Sequence, residues 1–484
     1  MTSGPAPLVR ETTLPRVLGP IRPRPRWQEL RLLGLVAIAL VFGSLSLGAT
    51  VSLGTAAGGT FELYDTRGLL IYLAALFVAH LAQVLAGRRT DQILLPTVAM
   101  LGGISLLLMQ RLPQDLVTQT FFGTTLRLGQ VQLVWLVLAL AVATTLGIVV
   151  RSDSWLRRYK YTWAAVGVGL LLLTFVFGTV INGQRLTLQL GPFAGQPTEL
   201  LKVILVVFLA GYLSENRTLL VEQDTRLGPL RLPPLPYLAP MVAMWAIALV
   251  IVVIQRDLGA ALLFFGVFLA LLYVATGRLS LVIIGLVLFL LGSALMAMLV
   301  DRVRTRVDVW IDPFGDPLGA GYQVVQALHA FARGGLLGVG LGAGLPSIGG
   351  RPPIPEVHTD FPLAALGEEL GIVGVIAILG LYLVVVERGL RIWAAAADDF
   401  RSLLAVGLAL VIGIQAFIIA AGNLKVLPLT GVTLPFISYG GSSVLANAVV
   451  IGLLLALSDK GVEPPPPPTE VRRWRDRLRR RRAA

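Results

Sequence analysis

The sequence predicts an all-α, polytopic membrane protein. Three observations carry that expectation: 56% of the 484 residues are hydrophobic, only 14% are charged, and apolar runs of spanning length recur along the chain. Mean hydropathy is +0.80, far outside the range of soluble globular domains. An apolar run of about 17–25 residues makes a helix long enough to cross ~30 Å of hydrocarbon. There is no cysteine, so disulfides and thiolate metal sites are excluded. In such a chain the net charge of +13 is read first as loop topology, and no nucleic-acid partner is expected.

Residues 1–30 form a Pro- and Arg-rich tail without the short apolar core and small-residue cleavage site of a signal peptide. Twelve candidate spans follow, near 31–53, 67–87, 92–110, 130–150, 161–181, 198–213, 237–254, 258–276, 279–299, 361–386, 402–421 and 434–457. With the N-terminus in the cytoplasm, roughly 28 of the forty basic residues fall inside, about 11 outside, and Lys202 within a span. The clearest inner clusters are Arg88–Arg89, Arg151 with Arg157, Arg158 and Lys160, and Arg388 with Arg391. An even number of spans returns the C-terminus to the cytoplasm. There, residues 461–484 hold a five-proline spacer and an arginine run. That run could lie against anionic lipid or simply enforce topology.

Residues 300–360 make one connection far longer than the rest, and it is extracytoplasmic on this topology. Long loops are usually functional or disordered. This one contains "YQVVQALHAFARGG", where Tyr322, Val325, Leu328 and Phe331 are spaced for a short amphipathic helix. Just before it stands "DPFGDPLGAGYQ", with two Asp-Pro pairs at Asp312 and Asp316.

Several charges fall where a bilayer makes them costly, some 2.5–3.5 kcal/mol each even on a lenient insertion scale. "GPFAGQPTELLKVILVVFLA" puts Pro197 in a first helical turn and Glu199 and Lys202 on one face, after Gln196. Arg256 and Asp257 fall at a tight break between spans. His358 and Asp360 mark a helix mouth, with Glu368 and Glu369 roughly two turns deeper. Such groups either pair internally to lock helices or line a polar cavity; four sites in one chain favour a cavity. In "TGVTLPFISYGGSSVLAN", Ser438, Gly440, Gly441, Ser442 and Ser443 either allow close helix approach or leave room for a ligand headgroup. The three histidines are far apart, and no HExxH, Walker loop or serine-triad spacing occurs. "LGVGLGAGLPSIGG" opens no strand–helix unit, so its glycines are read as a tight loop.

Five ordered stretches together resemble the SEDS family (shape, elongation, division and sporulation), the RodA- and FtsW-like proteins. They are "INGQRLTLQLGPFAGQPTELLK", "QRDLGAALL", "DPFGDPLGAGYQVVQAL", "HTDFPLAALGEELGIVG" and "LPLTGVTLPFISYGGSS", covering about residues 90–460. The resemblance implies a peptidoglycan glycosyltransferase of the bacterial cytoplasmic membrane. It would polymerise lipid II and work with a class B penicillin-binding protein, a transpeptidase. It also implies a ten-span core over 91–460, here preceded by two additional helices in 31–90, as in some RodA-type members. The family's essential aspartate precedes "GxGYQ", which carries over to Asp316 rather than Asp312. Two positions depart from the family pattern: Thr198 replaces its usual Ser, and Arg256 and Ala260 stand in its "QPDLGT".

Glycan polymerisation requires a 4-hydroxyl to attack C1 of a sugar joined to a lipid pyrophosphate. A carboxylate can take the hydroxyl proton, which suits Asp316. Gln196, Glu199, Lys202, Asp257, Gln323, His358, Asp360, Glu368, Glu369, Ser438, Gly440, Gly441, Ser442 and Ser443 are expected to line the substrate cavity, with Arg185 and Arg333 as pyrophosphate contacts. A divalent cation, Mg or Mn, could also stabilise the leaving charge. The alternatives are a lipid-linked-sugar flippase, whose charges should cluster near the midplane, and a non-catalytic scaffold for the transpeptidase.

Overall fold

The structure is a computed structural model. It describes residues 23–54, 66–121, 124–181, 184–190, 193–222, 225–227, 230–232, 257–344 and 352–459, with isolated positions between 239 and 246. Apolar helices occupy eleven of the twelve expected spans. They are α1 (Trp27–Gly54), α2 (Thr66–Ala86), α3 (Leu94–Arg111), α4 (Leu128–Val149), α6 (Lys160–Phe177), α7 (Pro197–Glu222), α8 (Leu258–Thr276), α9 (Leu279–Leu299), α12 (Pro362–Ala395), α13 (Asp399–Asn423) and α14 (Gly441–Leu457). The expected span at 237–254 falls almost wholly outside the described residues. Among the described residues there are also three shorter helices: α5 (Ser154–Arg158), α10 (Asp301–Ile311) and α11 (Tyr322–Gly334).

The helix ends follow local chemistry. Pro197 and Pro362 open α7 and α12, where a missing N–H costs nothing. Asp257 caps α8 by accepting from the Ala260 N–H at 3.0 Å, and Asp398 caps α13 by accepting from Arg401. Gly277 closes α8 in the left-handed region at φ 68°. Both α7 and α12 outrun the apolar runs that define them, because helical residues continue past the hydrocarbon into polar sequence.

Short antiparallel pairings also occur in the loops: β1 (Thr118–Phe121) with β2 (Thr124–Arg127), β4 (Gln184–Leu190) between β3 (Thr179–Ile181) and β5 (Phe193–Gly195), and β6 (Thr225–Leu227) with β7 (Leu230–Leu232). The all-α expectation omitted these hairpins. Alternating Thr and aliphatic residues favour them.

Enclosure is uneven. Helices α3, α7 and α13 are the most surrounded by protein and α9 the least. Leu288, Leu290, Leu291 and Met298 of α9 face outward, as suits a lipid-contacting wall. The main helix contacts are α14 on α4, α12 on α13, and α13 on α7 and α8, while α1 lies on α3 and α2 on α4. Lipid is as apolar as leucine, so close packing and polar contacts join the helices here. Gly441 shows this: a Cβ there would stand 2.4 Å from Trp135 of α4. The N-terminal pair is tied down by polar groups, with Glu29 of α1 paired to Arg26 and lying 2.6 Å from Nδ1 of His80 in α2.

Helix α12 is broken at Gly371, whose φ of 66° and ψ of −171° are far from helical. The break frees the carbonyls of Glu368 and Glu369 and the N–H groups of Ile372 and Val373. Residues 335–340 take up all four: Val339 and Gly340 donate to Glu368 and Glu369, and Ile372 and Val373 donate to Gly335 and Leu336. Gly338 is essential to this fit, with φ 81° and the Glu369 carbonyl 2.2 Å from any added Cβ. The glycine-rich stretch is thus a loop docked into a helix break, and it anchors the 300–360 segment to α12.

Candidate functional site

The enclosed helices carry the polar residues. Lys202 is 1% exposed in the second turn of α7. Its Nζ donates to Glu199 at 2.7 Å, to Gln415 of α13 at 2.7 Å and to Asn447 of α14 at 2.8 Å. Three acceptors satisfy the three N–H bonds of the ammonium. Gln415 Nε2 donates to the Thr433 carbonyl, Asn447 Nδ2 to Ser443 Oγ, and the Thr433 and Ser443 hydroxyls lie 2.6 Å apart. One cation therefore joins three helices.

At the start of α7, the Gln196 N–H donates to Ser442 Oγ at 3.0 Å, and its side-chain amide reaches Asp257 at 3.3 Å. Asp257 also feels the charges of Glu199 and Arg306. Arg306, on α10, donates to the Thr430 carbonyl at 2.9 Å and lies within electrostatic reach of Asp360 as well. Burial pushes the Asp360 carboxyl up to about 6; Glu356 adds to the rise and Arg306 opposes it. Burial also lowers the Arg306 guanidinium and the His358 imidazole from their ordinary values. Charged groups thus run from buried Lys202 outward through half-buried Glu199 and Asp257 to Arg306 and Asp360.

Asp316 sits apart from that network, on an exposed turn. Its Oδ1 accepts from the Gly319 N–H at 3.0 Å and its Oδ2 from Ala320 at 2.9 Å. Asp312, four residues earlier, caps a 3-10 turn through the Phe314 N–H at 3.1 Å. No hydrogen bond or ion pair among the described residues joins Asp316 to the Lys202 cluster. The link is spatial: Ala320 and Gln323 line a cavity of about 110 Å³ whose far wall includes Arg306 and Lys425. Helix α11 supports this turn by burying Val324, Val325, Ala327 and Ala330. Its core stripe is rotated slightly from the expected one, with Leu328 and Phe331 partly buried beside it.

Several other expected site residues make contacts of their own. Arg333 pairs with Glu368 at 2.9 Å through Nε, joining α11 to α12. Glu369 stands 3.7 Å from Arg111, whose Nη2 also holds the Gly344 carbonyl; this group fixes the glycine-rich loop. Ser438 is buried and fully used, donating to the Thr359 carbonyl at 2.6 Å and accepting from Leu434 N–H. Gly441 is consumed by the Trp135 contact and Gly440 by an unusual backbone, φ 159° and ψ 97°. Of the five small residues, Ser442 and Ser443 are the two joined by hydrogen bonds to the polar cluster. The Arg185 side chain and Arg256 lie outside what the structure describes. Among the described residues, no three carboxylates or imidazoles converge as a metal cage.

The sequence profile of the FtsW/RodA/SpoVE family, described as cell cycle proteins, matches residues 91–462. The chain belongs to this family. It is 39% identical to the peptidoglycan glycosyltransferase RodA of Mycobacterium tuberculosis over 392 residues, which is 80% of this chain and 82% of that one. It is 38% identical to RodA of Mycobacterium leprae over 445 residues, 92% of this chain and 93% of that one. Among solved structures it resembles a chain from work on structural coordination of polymerization and crosslinking by a peptidoglycan synthase complex. That likeness has a TM-score of 0.60 and 26% identity, covering 76% of this chain and 98% of the other.

Within this RodA-like frame, sequence reasoning passed over Arg306, Gln415, Asn447 and Lys425. The two amides carried a signal, since each is isolated in an apolar run, "IGIQAFII" and "LANAVVIG". Arg306 carried none, because it is one of three arginines in "DRVRTRVDVW" and only the fold shows which one turns inward.

Proposed function

We propose that this protein, a multi-pass membrane peptidoglycan glycosyltransferase, polymerises lipid II with Asp316 as general base. The acceptor 4-hydroxyl oxygen bonds to C1 of the donor sugar. The C1–O bond to the diphosphate breaks, the hydroxyl proton passes to the Asp316 carboxylate, and the electron pair stays on the diphosphate oxygen. One observation carries the assignment: Asp316 is held by two backbone N–H groups on an exposed turn, beside a cavity lined by Ala320, Gln323 and Arg306. Each carboxylate oxygen keeps lone-pair capacity for a proton while the N–H bonds fix its direction. The family membership makes a class B penicillin-binding protein the natural partner. The basic-residue distribution supports a bacterial cytoplasmic membrane setting with both termini inside and Asp316 outside.

The test is lipid II polymerisation by the purified protein in liposomes. Asp316→Asn should cut the rate by about 10²–10⁴-fold, the usual contribution of a general base, with unchanged yield and melting. Asp312→Asn should cost less, since that carboxylate only caps a turn. Near-normal activity in Asp316→Asn, with loss in Asp312→Asn, would mean that the wrong carboxylate has been chosen.

A further inference from the structure

We propose that the cavity between α10, α11 and the 422–429 turn seats the diphosphate of the polyprenyl-linked sugar, held by Arg306 and Lys425; this rests on the polymerase reading above. Its polar lining comprises those two cations with Thr305, Gln323 and the Trp310 indole, and no carboxylate lines it. The volume of about 110 Å³ accommodates several waters, and so a phosphate-sized group. Of the residues the sequence marked, Gln323 lines this cavity, while Arg333, the expected diphosphate contact, is not among its lining residues and pairs with Glu368 through Nε.

Lys425 is one of two non-glycine residues with positive φ among the described residues, at 59°. A lysine there bears a backbone cost that glycine would not. The fold enforces the conformation, since the Trp310 indole N–H donates to the Lys425 carbonyl at 3.2 Å. The ammonium itself donates to the Ile311 carbonyl at 3.3 Å, at the C-terminal end of α10. That arrangement aims a cation at the cavity rim and leaves N–H donors over. Arg306 contributes a planar fork, the shape that matches phosphate oxygens. Among the described residues one of its donors is engaged, by the Thr430 carbonyl. Asp257 and Asp360 lie near enough to orient it.

Position agrees with the chemistry. The general base and the departing diphosphate must flank the same sugar linkage. Ala320, whose N–H holds Asp316 Oδ2, is itself a wall of this cavity.

The experiment uses the full chain in nanodiscs and measures binding of undecaprenyl diphosphate, undecaprenol, inorganic pyrophosphate and phosphatidylglycerol. Lys425→Gly is the key variant, because glycine adopts φ 59° freely and the fold should melt no lower than wild type. Arg306→Gln is the second. Each should weaken undecaprenyl diphosphate about tenfold, as expected for losing a charge-assisted contact, and leave undecaprenol unchanged. The proposal is overturned if both variants bind undecaprenyl diphosphate like wild type. It is also overturned if phosphatidylglycerol displaces that ligand mole for mole, whereas competition by inorganic pyrophosphate is the result expected of a diphosphate seat. Polymerisation by wild-type protein, assayed in parallel, separates failure of this site from failure of the polymerase reading.

Discussion

Lys202→Met is the most demanding test of the buried cluster. Methionine keeps the length and apolar stem of the side chain and removes the charge. The lost ammonium leaves Glu199 without its cation and leaves the Gln415 and Asn447 carbonyl oxygens without their donor. Breaking a buried pair from one side costs about 3–5 kcal/mol, and each orphaned acceptor adds about 1–3 kcal/mol. The Glu199 side chain is 13% exposed, so water relieves part of its penalty and the low end of each range applies. The combined loss is about 5 kcal/mol. The assay is denaturant unfolding in detergent, followed by the fluorescence of the eight tryptophans. The double variant Glu199→Leu/Lys202→Met should regain most of that stability, because no unpaired charge remains. It should not regain lipid II polymerisation if the pair serves the substrate. A Lys202→Met protein within about 1 kcal/mol of wild type, the scale of an exposed ion pair, would refute the energetic reasoning. A double variant that polymerises at the wild-type rate would remove both residues from the site.

Asp360 should make stability depend on pH. Its folded carboxyl lies near 6, above the ordinary ~3.9, so the folded chain holds the proton longer and stability falls as pH rises from about 4 through 6. Asp360→Asn should reduce that slope and be more stable than wild type at pH 8, by up to about 3 kcal/mol; an unchanged slope between pH 4.5 and 8 in the variant would contradict it. Gly441→Ala should destabilise by about 1–3 kcal/mol through overpacking against Trp135, measured by the same unfolding assay. Leu318→Cys, at an 89% exposed position, should react with an impermeant thiol reagent on intact cells, whereas Ser154→Cys should react only after permeabilisation. The opposite pattern would invert the topology.

Hydropathy alone determined the class of this protein and the places of eleven described spans, because a bilayer demands long apolar helices whatever their neighbours. Local chemistry likewise fixed the Pro197 start and the i, i+3 meeting of Glu199 with Lys202, which depends only on helical spacing. Motif order pointed to Asp316, whose turn is set by residues within four positions of it. The partners of Lys202 on α13 and α14 were settled by tertiary packing, since Gln415 and Asn447 lie 213 and 245 residues away. Packing also separated residues that looked alike in sequence. Ser442 joins the polar cluster while Gly441 faces Trp135, and Arg306 turns inward while Arg333 pairs with Glu368. The break in α12 was beyond local reasoning for the same reason. Gly371 permits it, but the four freed backbone groups are satisfied only by residues 335–340 from another segment of the chain. Spacing determines which face a residue occupies; what lies opposite that face is decided when helices distant in sequence come together.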